Sequence, residues 1–198
     1  MATEVREVAE TSSMPHCTTR RAASIEEFWS LPESTLSVEY INGEIVMAPA
    51  PTYDHQNLSR RIFRALDSFV EKEELGGVFY SPFDVVLSSG EVVQPDIFFL
   101  NSKEMKRCAV DKRMYGVPSL IIEILSPSSI THDTLTKREL YERSGVRQYW
   151  IVDPEAKTVA QLVLRKKRYV VNELAEGDAL RSVVLKGFET RVGELLGV

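Results

Sequence analysis

Cysteine is scarce in this chain. Its 198 residues include two, Cys17 and Cys108. Neither a disulfide framework nor a zinc site follows from that pair, and a reducing cytoplasm is the default compartment. Long apolar runs are also missing. Nothing approaches the ~18 residues of a membrane span, so no membrane partner is expected. Residues 1–24 hold no continuous apolar stretch and do not read as a secretory signal. They read as a mobile tail ahead of one domain, 25–198. There is no excess of positive charge either. The net charge is -5, which argues against a generic polyanion binder and leaves nucleic-acid contact to local basic patches. Internal repeats and low-complexity linkers are absent. What is plentiful is apolar residues, 43%, enough for a sizeable core.

The patterning predicts a layered α/β protein. Residues 25–33 read as a short helix. Leu36 to Met47 reads as a hairpin around Asn42-Gly43, the strongest short hairpin signal. A two-residue turn pairs 39 with 46 and 41 with 44, which puts Glu39 and Glu44 on one face. Asp54 is a plausible N-cap for a helix from His55 to about Glu73. Leu58, Ile62, Leu66 and Phe69 form its apolar stripe, and Gly76-Gly77 closes it. Strands follow at Val78–Ser81, Phe83–Leu87, Val92–Leu100, Leu120–Leu125 and Gln148–Asp153. Thr131 or Asp133 can cap a helix running to Arg143, stopped by Gly145. A hairpin around Arg165 to Arg168, a strand over Leu180–Leu185 and a short helix over Val192–Leu196 complete the chain.

Two carboxylates stand out by context. Glu123 is the one acid in an otherwise aliphatic strand bracketed by Pro118 and Pro127. A buried carboxylate must neutralise, pair or bind a metal. Asp96 follows Gln94-Pro95 at the entry to another apolar strand. Two acids on neighbouring strands make half of a site for magnesium, which takes one or two carboxylates plus water and phosphate oxygens. Lys137, on the helix after the Glu123 strand, is the candidate cation for orienting water and neutralising charge. Tyr141 lies one turn on and Asp133 one turn before. Gln94 shares a strand face with Asp96. His55 and Glu39 are further candidates to reach the same pocket. Bland readings stand beside each. Asp96 can be a turn residue, Glu123 an acid paired with Lys137 or an arginine, and Lys137 an i,i+4 partner of Asp133. Tyr141 can be core, His55 a helix-start residue, and Glu39 with Glu44 a solvated face. Asp84 is a reserve acid. A two-residue turn at Ser89-Gly90 faces it away from Asp96, and a one-residue change of register reverses that.

In order, the chain carries Val38 to Val46 around Asn42-Gly43, then His55, then Ser81-Pro82-Phe83-Asp84. After these come Val93-Gln94-Pro95-Asp96, Ile122-Glu123-Ile124-Leu125-Ser126-Pro127, Asp133 with Lys137 and Tyr141, and Gly145 to Pro154. This set resembles the Uma family of restriction-endonuclease-like proteins, grouped with the PD-(D/E)XK nuclease superfamily. The resemblance spans roughly residues 25–195. It implies a restriction-endonuclease-like core: a mixed central β-sheet flanked by helices, with an N-terminal β-hairpin and a C-terminal hairpin extension. It also implies hydrolysis of DNA phosphodiester bonds with Mg2+ or Mn2+ held by Asp96 and Glu123. The superfamily writes acid-x-Lys, whereas Leu125 stands at the lysine position here. Lys137 is the residue expected to supply that ammonium from the helix.

A nuclease meets phosphates with Lys and Arg. The candidate clusters are Arg60, Arg61 and Arg64; Lys103, Lys106, Arg107, Lys112 and Arg113; and Arg165 to Arg168. A homodimer is the expected arrangement for cutting both strands. Two other functions stay open: a nuclease-fold module that binds nucleic acid or assembles without turnover, and a hydrolase of another phosphorylated substrate.

Overall fold

The computed structural model describes residues 18–32, 36–108 and 113–198, with only the backbone of Arg107 and Cys108. The described residues fold as a mixed α/β structure built on two six-stranded sheets. One sheet collects β1 (Thr19–Ala22), β2 (Val38–Ile41), β3 (Glu44–Met47), β5 (Val85–Val86), β6 (Val92–Val93) and β8 (Met114–Tyr115). The other collects β4 (Gly76–Tyr80), β7 (Ile97–Asn101), β9 (Leu120–Ile124), β10 (Gln148–Asp153), β11 (Thr158–Arg165) and β12 (Arg168–Leu174). In that second sheet β9 and β10 run parallel while their neighbours are antiparallel. A small pair, β13 (Ala179–Arg181) with β14 (Glu189–Arg191), precedes the terminal helix Val192–Leu196.

The second sheet is covered on both faces, which is why β9 is fully buried and reads as a continuous apolar run. On one side lies α2 (Tyr53–Lys72), with Leu58, Ile62, Leu66 and Val70 packed on Ile122, Ile124 and Trp150. On the other lie α4 (Arg138–Ser144) and part of the first sheet, packed on Phe98, Ile121 and Ile151. Helices α1 (Ile25–Trp29) and α3 (Ser102–Cys108) are peripheral. Among the described residues no helix is long and apolar enough to cross a membrane.

The hairpin register is the expected one: Glu39 faces Val46 and Ile41 faces Glu44. Several local expectations change. The expected last strand, Leu180–Leu185, is β13 and ends at Arg181. The cap of α2 is Thr52, whose hydroxyl accepts from His55 N, so Asp54 sits inside the first turn. Gly76 does not close that helix but opens β4, at φ 150°, where a Cβ would stand 2.0 Å from Leu100 O. Thr19–Ala22, placed in the tail by the sequence, is a strand paired with β3; residues 1–17 lie outside the described set. The expected strand Val92–Leu100 is two strands in two sheets, parted at Gln94-Pro95-Asp96, because Pro95 offers no N–H to a ladder. That crossing point positions the site.

Candidate active site

Asp96 enters β7 one residue before Ile97, which pairs with Ile122. Continuing that antiparallel register sets Asp96 opposite Glu123. The backbone N–H of Asp96 donates to Glu123 Oε2 at 3.2 Å, and Ile124 N donates to Asp96 Oδ2 at 2.8 Å. The chain makes this arrangement locally by ending the Val92–Val93 strand at a proline and restarting as Ile-Phe-Phe-Leu. Glu39 Oε1 takes the N–H of Gln94 at the break, 2.8 Å away. Burial of a hairpin acid therefore has a reason: its carboxylate satisfies backbone that left its sheet.

After β9 the chain turns through Pro127 and enters a π-helical segment, His132–Lys137, which continues as α4. The wider turn, a form frequent at functional sites, carries His132, Asp133 and Lys137 as buried side chains. Thr131 makes no side-chain cap. Lys137 Nζ lies 2.9 Å from Glu123 Oε1 and 2.9 Å from Glu39 Oε1, with Asp133 Oδ1 at 3.8 Å. Tyr141 donates its hydroxyl to Glu123 Oε1 at 2.9 Å. His55, at the start of α2, places Nε2 3.1 Å from Asp96 Oδ2 and 3.2 Å from Ile124 O. All of these interacting residues but the fully buried Tyr141 line one cleft of about 320 Å³.

The sequence offered no signal for two members of this cluster. Arg20 of β1 places a guanidinium nitrogen 2.8 Å from His132 Nδ1, and His132 Nε2 meets Glu39 Oε2 at 2.9 Å. A guanidinium can only donate. His132 Nδ1 is therefore the acceptor, and Nε2 carries the proton given to Glu39. The chain Arg20, His132, Glu39, Lys137 fixes the lysine from the side opposite Glu123.

Charge in the cleft is unbalanced. Glu39, Asp96, Glu123 and Asp133 surround one lysine and two histidines. Burial pushes Glu123 well above the ordinary carboxylate range; Lys137 opposes this, and Asp133, Asp96 and Glu39 add to it. Burial likewise raises Asp133, with Lys137 opposing. Burial would raise Glu39 too, but Lys137 and His132 outweigh it and hold Glu39 at about 2. Burial disfavours charge on Lys137, yet Glu123, Glu39 and Asp133 overcome that and lift it well above the usual lysine value. Lys137 thus stays an ammonium. Burial raises Tyr141 well above its usual value, so it stays a donor. His55 is raised despite burial, by its bond to Asp96.

The Uma2 family model, described as "Putative restriction endonuclease", matches residues 25–193. The chain belongs to this family. A solved structure of the same fold is titled a putative nuclease belonging to DUF820 from Anabaena variabilis ATCC 29413. It is 22% identical, covers 87% of this chain and 97% of its own, and superposes with a TM-score of 0.74. No curated protein matches the chain. Arg20 of this Uma2 chain lies outside the matched span, as does the rest of β1.

The cleft suits a hard divalent cation by its donor chemistry: two cross-strand carboxylates and an excess of acid, with Asp96 about one-fifth exposed to the opening. Among the described residues no three His, Cys, Asp or Glu side chains group to hold a metal. Gln94 gives Nε2 to Asp84 at 2.8 Å, and its Oε1 is buried without a partner. An acceptor facing inward suits a water rather than a phosphate.

The basic clusters separate. Arg60 and Arg64 flank a groove beside the cleft, but Arg61 packs against Gly197 at the end of the terminal helix. Lys103 and Lys106 sit on α3, which follows the far end of β7, next to Ser119 rather than Asp96. The Arg107 side chain and Lys112 lie outside the described residues. Arg113 is engaged, 3.2 Å from Asp84 and stacked over Trp29. Arg165 to Arg168 form the turn of the β11–β12 hairpin. That turn lies beyond the Gln148 end of β10, five residues along β11 from Ala160, which faces Ile151 and so Glu123; that is ~16 Å.

Proposed function

We propose that this chain is a divalent-metal-dependent endonuclease that hydrolyses DNA phosphodiester bonds at the cleft of Asp96, Glu123 and Lys137. One observation carries the reading: a lysine absent from the strand, where Leu125 stands, is present in space, with Lys137 Nζ 2.9 Å from Glu123 Oε1. Asp96 and Glu123 would hold magnesium or manganese. The chemistry such an ion supplies when bound is Lewis-acid neutralisation of the scissile phosphate and its leaving oxygen. The protein's own groups do the positioning. Lys137 is a permanent donor, not a base. Two of its hydrogens go to Glu39 and Glu123, which aims the third toward the cleft, where it orients the attacking water. Tyr141 and the Asp96 N–H hold the Glu123 carboxylate in one rotamer. His55 fixes Asp96, and Gln94 offers an acceptor for water. Glu39 fixes Lys137.

The test is nicking of supercoiled plasmid by purified protein with magnesium or with chelator, beside Glu123→Ala and Lys137→Ala. Magnesium-dependent nicking by the wild type alone is expected. Equal nicking by wild type and Glu123→Ala would contradict the assignment. A second reading, a nuclease-fold module that binds nucleic acid without turnover, is favoured by one feature: both Glu123 oxygens already have protein donors. DNA retention without any cleavage in magnesium or manganese is its signature. Nothing in the cleft selects a different phosphorylated substrate.

A further inference from the structure

Beside the cleft, α2 and the end of β4 border a second groove of about 740 Å³. Tyr53, Asn57, Arg60, Phe63, Arg64 and Tyr80 line it, with no Asp or Glu of the described residues among its walls. Arg60 bonds Asn57 Oδ1 at 2.9 Å, and neither Arg60 nor Arg64 meets an acid among the described residues. On a chain of net charge -5, a groove with cations and no acids is a distinct local feature. It is also aromatic. Tyr53 is 81% exposed and Tyr80 59%, although large rings contribute most to stability when buried. Tyr80 is braced edge-on against Phe63, centroids 4.9 Å apart, so the ring is held in place while most of it stays open. The groove runs into the cleft: Ser59 and Tyr80 line both, and Ser81, next to Tyr80, donates its N–H to Asp96 O.

We propose that this groove is a nucleotide-stacking subsite for an unpaired base. A single-stranded or locally opened stretch of nucleic acid lays a base against Tyr80 and Tyr53, while Arg60 and Arg64 meet the flanking phosphates. Aromatic platforms with interleaved cations bind single strands because every base has an open π-face once unpaired. In a closed duplex those faces are stacked inside, and two tyrosines in a groove cannot reach them. The proposal rests on the nuclease reading for its direction: it names single-stranded or opened nucleic acid as the substrate class of the adjoining centre.

The experiment is fluorescence anisotropy of the full-length protein in chelator, which stops cleavage. The probes are a labelled oligonucleotide of about 15 nucleotides and the duplex of the same sequence. Tighter binding of the single strand is expected. Tyr53→Ala and Tyr80→Ala should each weaken it about tenfold, with duplex affinity unchanged, and Tyr80→Phe should retain it. Arg64→Gln should weaken both and flatten the salt dependence. Equal affinity for single strand and duplex, indifference to Tyr53→Ala, or no oligonucleotide binding at all overturns the proposal; the last result would leave the groove to a protein partner. The nuclease reading fails separately. A chain that binds single strands through both tyrosines but never nicks DNA keeps the subsite and loses the reading, and active nicking with tyrosine-insensitive binding does the reverse.

Discussion

Replacing Lys137 with Met is the perturbation the cluster is most sensitive to. Lys137 is 5% exposed and is the one lysine among Glu39, Glu123 and Asp133. Methionine fills much of the same space and carries no charge. Removing one partner of a buried ion pair costs about 3–5 kcal/mol. Glu39 points the same way: burial alone would raise it, yet it is lowered from 4.5 to about 2, through Lys137 and then His132. A loss of about 3–5 kcal/mol is a large part of the ~5–15 kcal/mol that holds a domain folded. With a urea slope of about 3 kcal/mol per molar, Lys137→Met should lower the unfolding midpoint by about 1–2 M near neutral pH. Circular dichroism against urea measures it. The deficit relative to wild type should shrink on acidification, as the acids left without a counter-charge take up protons. A midpoint change below about 0.3 M, or a deficit indifferent to pH, would refute the description of this cluster.

Three further outcomes follow from the same geometry. Glu39 has a folded value below its unfolded one, so its stabilisation is fully present above about pH 4.5 and is lost as pH falls toward about 2; Glu39→Gln should be less stable by about 3 kcal/mol near neutrality and lose that part of the acid limb in thermal melts. Arg20→Ala should remove the donor to His132 Nδ1 while Glu39 still holds the proton on Nε2: nitrogen NMR should show a protonated Nε2 in both proteins and an Nδ1 resonance that moves only in the variant, with no loss of secondary structure. Gly76→Ala puts a Cβ against Leu100 O at a φ of 150°; it should cost about 2 kcal/mol or more and lower the melting temperature by about 4–8 °C.

Much of the architecture was legible because it is written locally. Asn42-Gly43 sets a two-residue turn, and the 39-to-46 register follows from it. Gln148–Asp153 carries an uninterrupted apolar run, Tyr149 to Val152, and is closed by Pro154. Glu123 stands out because an acid interrupts aliphatics, and Lys137 because it follows on the next helix. What escaped depends on contacts between distant segments. Glu39 reads both as a candidate for the pocket and as a solvated hairpin acid, and what decides between them, the break at Pro95 that brings a backbone N–H to it, is not written locally. Arg20 carries no signal in a stretch that looks like a tail. Asp84 turns on one residue of register. The loop after Leu87 holds three residues, Ser88, Ser89 and Gly90, with Gly90 at φ 96°, not the two-residue turn expected, so Asp84 faces Gln94 rather than turning away. The basic clusters look equivalent along the chain, yet among the described residues only Arg60 and Arg64 are carried to the groove beside the cleft, because which end of a strand a helix follows is a property of topology.

On the proposed function, Asp96 and Glu123 would hold one cation between them with Lys137 at its side. Titration of the protein with manganese, followed by the loss of the free-ion paramagnetic resonance signal, tests it without relying on turnover. The wild type should bind one ion per chain, and Asp96→Asn, a partly exposed and nearly isosteric change, should abolish that binding while leaving the circular dichroism spectrum intact. Undiminished binding in Asp96→Asn, or no binding by the wild type, would contradict it.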